Sequence, residues 1–175
     1  SHTNDGRTRA VTKQNTGPAV FPVDDGRQGL GPNHQSLFDH PGAHRSFEWD
    51  IAQSLWTKQH LDLFQPDEKE ILIFFQQRFE AVQETYSLLR KSVVHNDAND
   101  NNVIVSDDLK HPRVKAVIDF GDAVYTQILN DLAVACTYAI MNHDNPLEAA
   151  LPVVQGYHKA FPVFEEEIAH LYDAI

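Results

Sequence analysis

The period of hydrophobic and polar positions changes along the chain. Over residues 46–61, Phe47, Ile51 and Leu55 recur at helical spacing, and Trp49, Ala52 and Trp56 widen the stripe. Pro66 then suits the first turn of a long amphipathic helix. Asp67, Glu68 and Glu70 favour its positive start, and Arg90 and Lys91 its negative end. Ile71, Phe75, Phe79, Val82, Tyr86 and Leu89 mark its apolar face, and both aromatic-rich stripes are expected in the core. The pattern next shortens to β-branched runs at 93–94, 103–105 and 114–118, the last two reading as a hairpin or an adjacent strand pair joined across 106–113. After Gly121 the run 129–141 reads as a buried helix capped by Asn130 or Asp131. Asn145-Pro146-Leu147-Glu148 combines a cap, a first-position proline and a capping acid. Pro152 is expected to kink that helix, and a final helix starts at Glu165. Residues 1–33, rich in Gly, Pro, Asp, Thr and Asn, read as an irregular, partly disordered leader in which only 19–23 (AVFPV) forms a short extended piece. The fold class is α+β, mostly helical, with a small β insert.

Composition narrows what such a fold can do. With 175 residues the chain suits one domain, and its net charge of −11 comes without any Lys/Arg-rich run. Nucleic acid and anionic membrane surfaces are thereby disfavoured as partners, while the long-range field favours amine-bearing ligands. The one cysteine, Cys136, excludes an internal disulfide and fits a reducing compartment. No apolar run approaches the ~18 residues of a membrane span, and the expected location is cytoplasmic.

The chemistry concentrates in one loop. "VVHNDANDNNVIV", residues 93–105, encloses two Asp, four Asn and one His between β-branched runs, more polar groups than a turn requires. Asp97 and Asn102 stand five positions apart, a spacing that lets a carboxylate face a hydroxyl substrate while an amide reaches a metal. The strand at 114–118 ends in "VIDFGDA", where Asp119 leaves beside the loop and Gly121 permits a reversal. Phosphoryl transfer needs these parts, because its catalysis is mostly positioning and charge stabilisation. The same loop partly mimics a calcium site through Asp97, Asn99, Asn101 and Asp108, but Asn102 stands where that site needs glycine and the flanks are not helical. His40 and His44 are four apart, yet Pro41 and Gly42 disfavour the helix that a zinc pair would need.

The order HxDxxxxN, strand, turn, strand, D-F-G resembles the catalytic half of the kinase motif set. "HNDANDNN" is similar to the catalytic loop of the aminoglycoside phosphotransferase and choline kinase superfamily, and "IDFGDA" to its metal-binding segment. Asn99-Asp100, with "FDHPGAHRSFEWDI" upstream, resembles the hydroxylysine-kinase-like branch, and the likeness runs over roughly residues 30–175. It implies Asp97 as catalytic base or hydroxyl-orienting group, Asn102 and Asp119 as Mg²⁺ ligands, and His95 and Asp131 as supports of the loop. Asp122 and Asn99 stand as further substrate or metal contacts. ATP is the implied co-substrate, and a small, amine-bearing alcohol the acceptor. Two departures stand out. Asn96 occupies a usual glycine position, which asparagine tolerates because it visits left-handed conformations, and Ala98 replaces a larger apolar residue.

The resemblance also implies an N-terminal lobe with a phosphate-covering glycine-rich loop and a strand lysine. No such loop precedes His95, and Lys13 lies in turn-like sequence. The expectation is therefore a C-terminal catalytic lobe over 34–175 whose N-terminal lobe is absent, partnered by that lobe or by a fused domain in a parent protein. Alone, such a lobe would turn over negligibly, and its open interface would favour homo-oligomers. The alternative is a non-catalytic remnant that serves as a metal- or ligand-binding regulatory module.

Overall fold

A computed structural model describes residues 41–108, 110 and 114–175. The expected leader, its extended piece at 19–23 and His40 lie outside the described residues. A short 3-10 turn at Pro41–His44 leads to a run of 3-10 turns at Ile51–Leu63, broken at His60 (φ −119°, ψ 16°). Helix α1 spans Pro66–Ser87, and strand β1 spans Lys91–Val94. Strands β2 (Val103–Val105) and β3 (Val114–Val117) follow the polar loop, then a 3-10 turn at Phe120–Asp122 and strand β4 (Val124–Gln127). Helices α2 (Leu129–Ile140), α3 (Pro146–Ala160) and α4 (Glu165–Ala174) complete the chain. The expected mostly helical α+β class holds: two small antiparallel ladders, β1 with β4 and β2 with β3, sit among the helices.

Helix α1 starts as its sequence implies. Pro66 occupies its first turn, and Glu68 reaches back to accept the Gln65 N–H at 2.9 Å. Asn145 caps α3 by accepting the Glu148 N–H at 3.3 Å, and Pro152 lies inside that helix without ending it. The segment expected as a helix over 46–61 is instead irregular or turn up to Asp50 and 3-10 from Ile51. Spacings of three and four cannot tell the two periods apart over so short a stretch, and Thr57 Oγ1 donates to the Ser54 carbonyl three residues back (2.7 Å). Strand β4 carries no alternating pattern to announce it; it forms because Val124–Gln127 finds β1 as a partner.

The core centres on α2. Leu132, Ala133 and Cys136 are fully enclosed by Phe79, Tyr86 and Leu89 from and after α1, by Val153 and Tyr157 from α3, and by Leu171 from α4. Several stripe residues expected in the core lie outside it. Trp49 is 75% exposed, and Ile71 and Phe75 are exposed on the N-terminal half of α1, because only the C-terminal half of that helix meets α2 and its neighbours. Arg90 and Lys91 do not terminate the helix, which stops at Ser87; Lys91 opens β1, and Arg90 has another task. Its guanidinium grips Glu167 with two hydrogen bonds (2.8 and 2.7 Å), donates to the Pro162 carbonyl (2.8 Å) and lies over the rings of Phe161 and Phe164. The start of β1 is thus pinned to the α3–α4 connection.

Burial pushes the Cys136 thiol up to about 11. A thiol reagent at neutral pH is therefore expected to leave the folded chain unlabelled and to add one label after denaturation, read by mass spectrometry. Fast labelling of the native chain would place α2 at the surface. Among the described residues no helix is long and apolar enough to cross a membrane.

Candidate active site

The polar loop is held from beneath by α2. Asp131 does not cap that helix: Ile128 holds the cap position, and Asp131 lies in the first turn with its carboxylate buried. Its two oxygens accept the backbone N–H groups of His95 (3.3 Å) and Asn96 (2.8 Å), the first residues of the loop. Asn130, the other expected cap, joins a buried network. It accepts from the Tyr86 hydroxyl and donates to Asp50 Oδ1 (3.1 Å), which also accepts from Thr126 Oγ1 (2.8 Å) and from the Ala52 N–H (3.1 Å). Four elements, the 3-10 run, α1, β4 and α2, are locked together below the loop by this network. Sequence reading passed over Asp50 and Thr126, since nothing local marks a polar residue as buried.

Within the loop the side chains of His95, Asp97, Asn99 and Asn102 bond to their neighbours. Asp97 Oδ1 accepts from Asn99 Nδ2 (2.7 Å), and Oδ2 accepts from Asn102 Nδ2 (2.7 Å). Asn102 Nδ2 also donates to the Asp97 carbonyl (2.9 Å). Asn99 Oδ1 accepts the N–H groups of Asn101 (2.8 Å) and Asn102 (3.2 Å), so both ends of the Asn99 amide serve the loop itself. Two of the four amides, Asn99 and Asn102, therefore act as internal braces that fix one carboxylate in one direction. Asn96 takes φ 66°, the left-handed conformation in which asparagine is the best stand-in for glycine.

His95 joins the loop to the Asp119 segment. Its Nδ1 accepts the Asp97 N–H (3.3 Å), which leaves Nε2 as the protonated nitrogen, and Nε2 donates to the Ile118 carbonyl (2.9 Å). The ring packs edge-on against Phe120. Ile118 in turn donates its N–H to the Asn102 carbonyl (3.0 Å), so the residue just before Asp119 is clamped to both His95 and Asn102. Asp119 itself is exposed at φ 62°, ψ 72°, an unfavourable conformation for a residue with a Cβ, and its Oδ1 accepts the Gly121 N–H at 3.3 Å. A Cβ added at Gly121 would come within 3.1 Å of that same oxygen, so glycine keeps space beside the carboxylate. Arg45 Nη2 donates to the Gly121 carbonyl (2.7 Å) and holds the turn from outside.

A cleft of about 450 Å³ opens beside the loop. Asp97, Asn96, Asn99 and Asp122 line it together with Trp49, Thr137 and Tyr138. Asn102 and Asp119 are not among the lining residues.

Burial is the leading influence on Asp131 and raises its pKa above the usual carboxylate value, opposed by the Asn96 and His95 N–H donors. An acid raised in this way favours the folded state when protonated. Its contribution is fully present below the unfolded pKa and is lost as pH rises through the folded one. Relative to Asp131→Asn, the wild-type unfolding free energy should therefore fall as pH climbs from the ordinary carboxylate range towards neutrality. Denaturant titrations at a series of pH values check this, and a difference that grows with pH over that window contradicts it.

A family model described as the phosphotransferase enzyme family matches residues 28–167, and the chain belongs to that family. Similar curated proteins include a hydroxylysine kinase of Danio rerio, 31% identical over 86 residues (49% of this chain, 24% of that protein). A hydroxylysine kinase of Mus musculus is 26% identical over 147 residues (77% and 39%), and a homoserine kinase of Methylobacillus flagellatus 32% identical over 127 residues (71% and 37%). The chain thus spans between 24% and 39% of the length of these relatives.

Proposed function

We propose that the chain supplies the catalytic lobe of a Mg²⁺- and ATP-dependent kinase that phosphorylates a hydroxyl of a small, amine-bearing metabolite. The reading rests above all on the clamp around Asp97, a carboxylate at the cleft wall with both oxygens fixed by amides, one of them Asn102. Asp97 would orient the acceptor hydroxyl and take its proton as the oxygen forms its bond to the γ-phosphorus. The bond from that phosphorus to the bridging oxygen breaks, and ADP leaves with the electron pair. Proton transfer to a positioned carboxylate contributes about 10²–10⁴-fold.

The oxygen donors suit Mg²⁺, which prefers a few carboxylate or carbonyl ligands and keeps waters besides. With its Nδ2 turned onto Asp97, Asn102 has Oδ1 free for a metal, and Asp119 offers a carboxylate at an exposed turn that Gly121 keeps open. The metal, when bound, would offset negative charge that develops on the phosphates. His95 and Asp131 position the loop without touching reactants. The names of the relatives, hydroxylysine and homoserine kinases, support an amino-alcohol acceptor.

The test is ³¹P NMR of Mg-ATP with a panel of amino alcohols, using the complete gene product that contains this chain. A phosphomonoester that accumulates with ADP supports the reading. Nucleotide and amine binding without any ester would favour a non-catalytic binding module.

A further inference from the structure

Residues 42–50 have no part in the phosphotransfer reading, yet they touch both halves of the candidate site. The Trp49 carbonyl accepts from Asn96 Nδ2 (3.3 Å), at the start of the polar loop. Asp50, buried, accepts from Thr126 Oγ1 (2.8 Å) on β4, the strand that follows the Asp119 turn. The His44 ring packs against Tyr125 of the same strand, with centroids 4.8 Å apart. Arg45 Nη2 reaches the Gly121 carbonyl inside the turn (2.7 Å). The three hydrogen bonds cross 47 to 76 positions of sequence, so the segment is a strap laid over the site and not a local turn.

Asp119 needs such a hold. Its left-handed conformation (φ 62°, ψ 72°) persists only where the surroundings over-determine it. On the preceding side Ile118 is clamped, by its N–H to Asn102 and by its carbonyl to His95. On the following side two hydrogen bonds stay within the turn: Gly121 N–H to Asp119 Oδ1, and Ala123 N–H to the Phe120 carbonyl. Among the described residues, the donor that reaches this half from outside is the Arg45 guanidinium. It arrives preorganised, lying over the Phe47 ring (4.6 Å to the centroid) with Nη1 donating to the Gly42 carbonyl (3.4 Å).

We propose that Arg45 is a positioning residue for the divalent ion: through the Gly121 carbonyl it holds the Asp119 turn in the conformation that lets Asp119 and Asn102 share one ion. The inference rests on the reading of those two residues as metal ligands and extends it to a side chain that touches neither ion nor reactants. The sign of one effect separates positioning from plain electrostatics. A cation beside a divalent-ion site opposes metal binding, so deletion of its charge alone would tighten the site. Loss of the strap acts the other way, because a turn free to leave its strained conformation must be ordered again when metal binds. Arg45 is exposed, so at about 0.15 M salt its charge is well screened and the ordering effect outweighs it.

The test uses the chain itself and needs no turnover. Mn²⁺ affinity is read from the broadening of NMR signals at 97–102 and 118–122, and backbone ¹⁵N relaxation is recorded without metal. Arg45→Met keeps most of the side-chain length and removes every donor. It should weaken Mn²⁺ binding by about fivefold or more. It should also lower the order parameters at 119–122 while those at 97–102 stay as they are. Arg45→Lys keeps the charge and a donor but not the fork, and should fall between Arg45→Met and the wild type. An unchanged or tighter Mn²⁺ affinity in Arg45→Met overturns the proposal, and so do unchanged order parameters at 119–122. A merely structural arginine would lower the unfolding midpoint and leave both readings in place. Failure of the metal reading would look different: the wild-type chain would show no selective broadening at 97–102 and 118–122, while the order parameters would still decide whether Arg45 holds the turn.

Discussion

Replacing Asp97 by Asn should lower the turnover of the complete gene product by about 10²–10⁴-fold while changing acceptor KM little. The substitution keeps the size and planarity of the side chain but removes its ability to take a proton. It also puts an NH₂ group where one of two amides, Asn99 or Asn102, now donates. One contact in the clamp becomes donor against donor, so the loss should lie towards the upper end of that range. Because His95 and Asp131 hold the loop through its backbone, the fold should survive and the defect should appear in kcat. Steady-state kinetics on folded protein decides it. A variant that keeps more than about a tenth of wild-type kcat would remove Asp97 from the role of base.

The largest effect on stability is expected at Arg90. Replacing it by Met leaves the Glu167 carboxylate almost fully buried, with the Phe164 N–H (2.9 Å) as its remaining donor among the described residues. Breaking one side of a buried pair costs about 3–5 kcal/mol. The Arg90 side chain is itself one-third exposed, so about 3 kcal/mol is the better expectation here. Arg90→Lys would keep a charge but lose the two-pronged grip and the stacking on Phe161 and Phe164, and should recover only part of the loss. Urea unfolding with an unchanged m-value gives the number. A loss below about 1 kcal/mol would mean that the pair behaves as a solvated surface contact.

Where a feature is written in neighbouring residues, the sequence declared it. Pro66, Asn145-Pro146 and the β-branched runs around the loop mark elements that form at those places. The polar loop was conspicuous for its composition, and the spacing of Asp97 and Asn102 matches two side chains that touch directly. Features that depend on distant partners stayed hidden. Strand β4 exists through its pairing with β1, and Arg90 suits a helix end until Glu167, 77 positions away, is brought beside it. Asp131 has the look of a cap in sequence and serves in space as an acceptor for a loop 35 positions earlier. The aromatic stripes misled for a related reason. Helical spacing shows which residues share a face, but not how far along the helix that face finds something to pack against, so Phe79 is buried and Phe75 is not.

The central claim is that Asn102 and Asp119 hold one divalent ion beside Asp97. It can be tested on the chain itself by substoichiometric Mn²⁺, whose unpaired electrons broaden the NMR signals of nearby residues. The account predicts selective broadening at 97–102 and 118–122, competed by Mg²⁺ and lost in Asn102→Ala and Asp119→Ala. Broadening centred on other acidic positions, such as Asp107 and Asp108 or Glu165 and Glu166, with no change in those two variants, would contradict it.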